Sequence, residues 1–158
     1  MGGSGEGGGS NPSRSATEAK SALDELSPVK DVWKDARQNP FSVSSEEINE
    51  GDVVRAFETA KIETVDLTSL KTNQETIRGN RVNAMIDLYA EGKKPEAGIM
   101  PSNFPASVRQ EGYDKSLPTV LKTKSGLVIW DGNHRLSAQK LLGVDKTKAI
   151  VVDIGSET

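Results

Sequence analysis

Four apolar residues, Leu127-Val128-Ile129-Trp130, run straight into Asp131-Gly132-Asn133-His134-Arg135. Beyond them Leu136, Ala138, Leu141 and Leu142 form an apolar stripe on helical spacing, and Gly143 ends it. The run has the length of a buried strand, and Asp-Gly-Asn breaks it. A strand that turns through glycine into a helix start brings several backbone N–H groups to one point, which the helix dipole makes electropositive. The one histidine of the chain, His134, and an arginine, Arg135, stand at that point. The layout is that of an anion site, for phosphate above all. A plain turn carrying a solvated His-Arg pair is the alternative that spacing leaves open. Glycine at 132 is expected to clear the way for a ligand to reach the backbone.

Upstream, the chain divides into a leader, an arm and a domain. Residues 1–14 are rich in glycine and serine, cannot bury a core, and are expected to form a flexible leader. Residues 15–60 are expected to form a helical arm. Ala19, Ala22, Leu23 and Leu26 share one helical face. Val29, Val32, Trp33 and Ala36 fall at i, i+3, i+4 and i+7, which predicts a second helix with Pro28 in its first turn and Asn39-Pro40 at its end. Ser44 and Glu47 have the spacing of a capping box ahead of a helical pattern through Val54 and Phe57, with Gly51 as its weak point. Trp33 is expected to anchor the arm, either on the domain or on a protein partner that docks through residues 15–38.

The domain, residues 61–158, opens on a strand marked by Ile62, Val65 and Leu67, followed by a polar loop, Thr72-Asn73-Gln74-Glu75-Thr76. Val82, Met85, Ile86 and Tyr89 predict a helix that Gly92 closes. Residues 93–116 have the Pro, Gly, Ser and Asn density of a long loop. Thr119-Val120-Leu121-Lys122 and Leu127-Val128-Ile129-Trp130 flank a glycine-containing connection and predict a hairpin; Ala149-Ile150-Val151-Val152 is a last buried strand. The order β-α-ββ-α-β predicts an α+β fold, a small mixed sheet with short helices, preceded by the helical arm.

Composition removes several kinds of chemistry. Aromatic residues make up 4% of 158 and charged residues 27%, so the core must be small and aliphatic. A net charge of −3 does not support a DNA partner held by bulk electrostatics. With no cysteine and one histidine, disulfides, cysteine-ligated zinc and histidine-rich metal sites are excluded, and no metal-ligand cluster is expected. No apolar run has the length of a membrane span and the N-terminus lacks the apolar core of a signal peptide. The chain is expected in the cytoplasm, or in a host's cytoplasm or a virion if a phage encodes it.

The run from Val128 through Gly143 resembles the signature of the ParB/sulfiredoxin superfamily, in which a strand, a Gly-x-x-Arg or Asp-Gly-His-His-Arg turn and a helix ending in Leu-Gly follow one another. Ile62-Glu63-Thr64-Val65-Asp66-Leu67 resembles the family's opening strand, Thr72-Asn73-Gln74 the loop after it, and Leu117-Pro118-Thr119-Val120-Leu121 the strand that begins with a Pro-Pro-Ile-like sequence. The likeness spans about residues 61–154 and points to a single-domain phage or mobile-element type. It implies that Gly132, Asn133, His134 and Arg135 contact the phosphates of a nucleotide (ATP, CTP or ADP), with or without Mg²⁺, and that Gln74 approaches phosphate or ribose. Sulfiredoxins place a cysteine beside the His-Arg pair; its absence excludes sulfinic acid reduction by that route. Chromosome-partitioning members carry a helix-turn-helix DNA reader, and these residues hold none.

Each side chain also has a plainer reading. Arg135 offers bidentate contact to phosphate oxygens, or a salt bridge to a carboxylate. His134 serves as a donor, as an acid or base in catalysis, or as a hydrogen-bonded structural residue. Asp131 serves as a magnesium ligand, as a catalytic base, or as a cap on the helix. Gln74 and Asn73 contact the ligand or are ordinary loop polarity. Three functions compete: a nucleotide-binding domain with phosphoryl-transfer, NTP-hydrolysing or nuclease activity; a non-catalytic accessory module docking to a larger phage or DNA-processing assembly; and a plain DNA-binding accessory protein, against which the acidic balance counts.

Overall fold

The computed structural model describes residues 11–30, 34–95, 104–106, 108 and 116–155. Trp33, residues 1–10 of the leader and most of residues 93–116 therefore lie outside the described residues. The elements in chain order are α1 (Ala16–Asp24), β1 (Ala36–Gln38), β2 (Ser42–Val43), α2 (Glu50–Ala56), β3 (Lys61–Asp66), β4 (Leu70–Thr72), β5 (Thr76–Arg78), α3 (Gly79–Ala90), β6 (Thr119–Thr123), β7 (Gly126–Asp131), α4 (Asn133–Leu141) and β8 (Lys146–Asp153).

Alternation along the central strands gives the sheet two apolar faces. The six strands lie in the order β2-β4-β7-β6-β8-β3, with β2, β4 and β7 mutually parallel, β6 antiparallel to β7 but parallel to β8, and β3 antiparallel to β8. The fold is α+β with a mixed sheet. On one face Val65, Val120, Ile129, Ala149 and Val151 pack with Val82 and Ile86 of α3, Leu136 and Leu141 of α4, and Ala19 and Leu23 of α1. On the other, Leu121, Ile150 and Val152 pack with Val53 of α2, Phe57, Phe104 and Val108. Phe57 and Phe104 meet edge to face with ring centroids 5.0 Å apart. Each fully enclosed aliphatic side chain of this kind contributes about 1.5–3 kcal/mol through its removal from water. Because Ala19, Leu23, Phe41, Val53 and Phe57 all belong to these cores, no gap in packing marks residue 61.

The arm is less helical than its periodicity suggests. Ala36 lies in β1, which pairs antiparallel with β5, and Pro28 bridges Arg37, so the expected second helix is not formed there. The four apolar positions satisfy helical spacing, yet β5 offers a ladder that buries Ala36 while Val29 N–H donates to the Ala36 carbonyl. Arg37 then reaches back with Nη1 to the carbonyls of Asp24 and Leu26, at 2.8 Å each, satisfying groups that the end of α1 leaves open. The Ser44–Glu47 capping box is also not formed. Ser44 Oγ accepts from Glu46 N–H in a local turn, and Ser44 N–H donates to the Thr72 carbonyl, which keeps this segment extended alongside β4. Asn49 caps α2 instead, accepting from Asp52 N–H, and the helix runs through Gly51 without a break. The leader is tied down sooner than expected: Arg14 N–H donates to the Leu142 carbonyl and Ser13 Oγ to that of Gly143.

Candidate functional site at the start of α4

Strand β7 ends at Asp131, and Gly132 takes φ 108°, in the left-handed region, so that Asn133 begins a helix directly. The first helical bond runs from Leu136 N–H to the Gly132 carbonyl at 2.8 Å. Glycine is required here for two reasons. A side chain would be strained by this backbone conformation, and its Cβ would lie 2.7 Å from Pro118 Cβ. The space over Gly132 is thus filled by Pro118 and the Arg135 guanidinium, which corrects the expectation that this glycine opens an approach for a ligand.

Arg135 turns inward. It is 5% exposed, donating from Nη1 to the Leu117 carbonyl at 3.2 Å and from Nη2 to Asp131 Oδ2 at 3.1 Å. Its plainer reading, a salt bridge, is therefore the one found, and it clamps the end of β7 to the segment entering β6. Asp131 is exposed and takes the guanidinium rather than capping α4, which has no side-chain cap.

Asn133 faces the other way, into a buried polar network. Its Oδ1 accepts from Asn39 Nδ2 at 3.0 Å and from Thr72 Oγ1 at 2.5 Å. Asn39 Nδ2 also reaches the Gln74 carbonyl at 3.0 Å, Asn39 Oδ1 accepts from Phe41 N–H at 2.9 Å, and Thr72 Oγ1 accepts from Gln74 N–H at 3.0 Å. Gln74 comes to the site through its backbone; its side-chain amide donates to the Thr76 carbonyl at 2.8 Å. The network joins residues 39–41, the β4–β5 turn and the first residue of α4.

His134 leans toward α3. Its Nε2 accepts from Arg78 N–H at 3.0 Å, which places the ring proton of the neutral form on Nδ1. Burial lowers its pKa to about 4, helped by the charges of Arg81 and Arg78 and opposed by Asp35. At neutral pH His134 is an uncharged hydrogen-bonded ring with one donor left.

Sequence reasoning gave no site role to Asp35, Asn39, Thr72, Arg78 or Arg81. Arg78 and Arg81 did leave a trace: two cations at a helix start oppose its dipole, an arrangement that local stability does not favour. Among the described residues no three acidic, histidine or cysteine side chains cluster as a metal site, and no helix is long and apolar enough to cross a membrane. A cavity of about 530 Å³ lies between α2 and the ends of β3, β6 and β8, and none of residues 131–135 lines it. Comparison with protein-family models, with curated proteins and with solved structures returned no match for this chain.

Proposed function

We propose that the start of α4 binds the phosphate group of a nucleotide, in a ParB-like manner, and that the protein acts as a phosphate-recognition module. One observation carries this reading. Of the helices α1 to α4, α1 is capped by Ser15, α2 by Asn49, and α3 by Asp35 from a neighbouring segment. At α4 the N–H groups of Asn133 and His134 meet no acceptor among the described residues, as is true of the first two positions of α1 and α2, but here no side chain caps the turn as Ser15 and Asn49 do. Such donors need an oxygen, and a phosphate supplies several at once. Arg81, whose charge bears on His134, and the Nδ1–H of that ring add charge and a directed donor.

Binding without bond breaking fits the side chains better than catalysis does. His134 Nε2 is engaged and its pKa lies far below neutrality, and Asp131 is paired with Arg135, so neither is poised as a base. Isothermal titration with ATP, CTP, ADP and GTP, with and without Mg²⁺, followed by a product assay, tests both halves. Saturable binding of at least one nucleotide that Arg81→Ala weakens by about two- to fivefold, as for loss of one exposed charge, with no product formed, is the expected result. Absence of binding to all four removes the reading; turnover would restore an enzymatic one.

A further inference from the structure

The hydrogen bonds around Asn133 have a direction. Phe41 N–H can only donate, so the atom of Asn39 facing it is the oxygen. The Asn39 nitrogen then faces Asn133, and the Asn133 atom facing it must be the oxygen. Thr72 agrees: its hydroxyl accepts from Gln74 N–H, and its one proton has Asn133 Oδ1 at 2.5 Å as a much nearer acceptor than the Gln74 carbonyl at 3.4 Å. With its oxygen held twice, the Asn133 carboxamide has its nitrogen turned to the remaining side. That nitrogen has no hydrogen-bond partner among the described residues, although Asn133 is only 7% exposed. Among those residues the fully enclosed side-chain atom without a partner is Ser137 Oγ, so Asn133 Nδ2 reaches the surface.

We infer that Asn39 is a positioning residue for the anion site: it fixes the rotation of the Asn133 carboxamide so that Nδ2 donates to a bound phosphate oxygen beside the N–H groups of Asn133 and His134. The inference rests on the phosphate-binding reading and adds a mechanism to it. Without Asn39, a half-turn about the last side-chain bond would present the carboxamide oxygen to an anion, reversing attraction into repulsion. The same relay makes residues 39–41, in the arm, responsive to what is bound at α4.

The test uses inorganic pyrophosphate and ADP as probes. In the intact chain, the side-chain ¹⁵N–¹H₂ signals of Asn133 should shift as either probe saturates. Asn39→Leu should weaken both by about tenfold, as for loss of one charge-assisted hydrogen bond. Asn133→Ala should weaken them similarly, and Asn39→Leu added to Asn133→Ala should cost nothing further, because Asn39 acts through Asn133. Additive losses in the double variant, or unshifted Asn133 side-chain signals in a parent that binds pyrophosphate, would overturn the relay while leaving phosphate binding intact. A parent that binds neither probe would remove the phosphate reading and the relay together. The signal measurement on the parent needs no variant, so a failure of Asn39→Leu to fold does not blunt the test.

Discussion

The starts of α3 and α4 lie side by side and are treated in opposite ways. At α3 the first three donors are matched: Arg78 N–H by His134, Gly79 N–H by the Asp35 carbonyl, Asn80 N–H by the Asp35 carboxylate. At α4 the corresponding donors of Asn133 and His134 meet no acceptor among the described residues, while Arg135, Asn133 Oδ1 and His134 Nε2 are committed to holding the turn in place. Residues that look like ligand contacts, Arg135 above all, turn out to be the frame. What the frame presents is backbone. A helix start closed by the protein's own carboxylate stabilises the fold; one held rigidly and left open is suited to a ligand.

The comparison breaks first at Gly132. Gly132→Val places a side chain both at φ 108° and against Pro118, and should cost about 3 kcal/mol or more by thermal unfolding. Gly92 makes the control. It has φ 80° but nothing within 4 Å of a built Cβ, so Gly92→Ala should cost only about 1 kcal/mol. Equal costs at the two positions would mean that the Pro118 contact carries no weight.

Arg135→Ala comes next. It strands the Leu117 carbonyl and unpairs Asp131, so unfolding free energy should fall by about 2–3 kcal/mol. Arg135→Lys should not restore it, because an ammonium cannot span both acceptors. A variant with parental stability and lost nucleotide binding would return Arg135 to the role of ligand contact.

Acid should loosen the junction of the two helices. His134 has a folded pKa of about 4 against an unfolded value of about 6.5, so the unfolded chain takes up the proton first. The stability that follows from the neutral ring is fully present above about pH 6.5 and is lost as pH falls toward 4. Urea midpoints should drop over that window in the parent and less in His134→Gln. An identical drop in both would assign the acid sensitivity to other groups.

The smallest effect separates the two helix starts most cleanly. Asp35→Ala should cost about 1 kcal/mol, as for loss of a cap, and leave nucleotide affinity undiminished. A matching loss of affinity would show that α3 and α4 form one site rather than one closed end and one open one.

Long apolar patterns were legible in the sequence. The β3 strand, the α3 stripe, the β6–β7 hairpin, the strand–glycine–helix of β7 and α4, and β8 all appear where periodicity places them. Strands of two or three residues, β1, β2, β4 and β5, were not, because alternation needs more positions than they have and their partners lie far away in the chain. The place of the candidate site was legible from Asp131 to Arg135, but the roles within it were not. Whether an arginine reaches out or folds in depends on Pro118 and Leu117, and the partners of Asn133 arrive from positions 39 and 72.

The pairing of the sheet also sets the order in which this chain is able to assemble. The hairpin β6–β7 closes over the Lys124-Ser125 connection and forms early, as local contacts do. Strand β3, by contrast, pairs Lys61 with Val151 and Asp66 with Lys146, and within the described residues β8 is its one ladder partner. On a ribosome, then, β3 emerges long before anything exists for it to pair with. Its exposed Lys61, Glu63, Thr64 and Asp66 fit that wait, since charged and polar side chains on an unpaired strand discourage joining to a neighbouring chain. The sheet closes only when β8, which follows both in the chain, slides between β6 and β3.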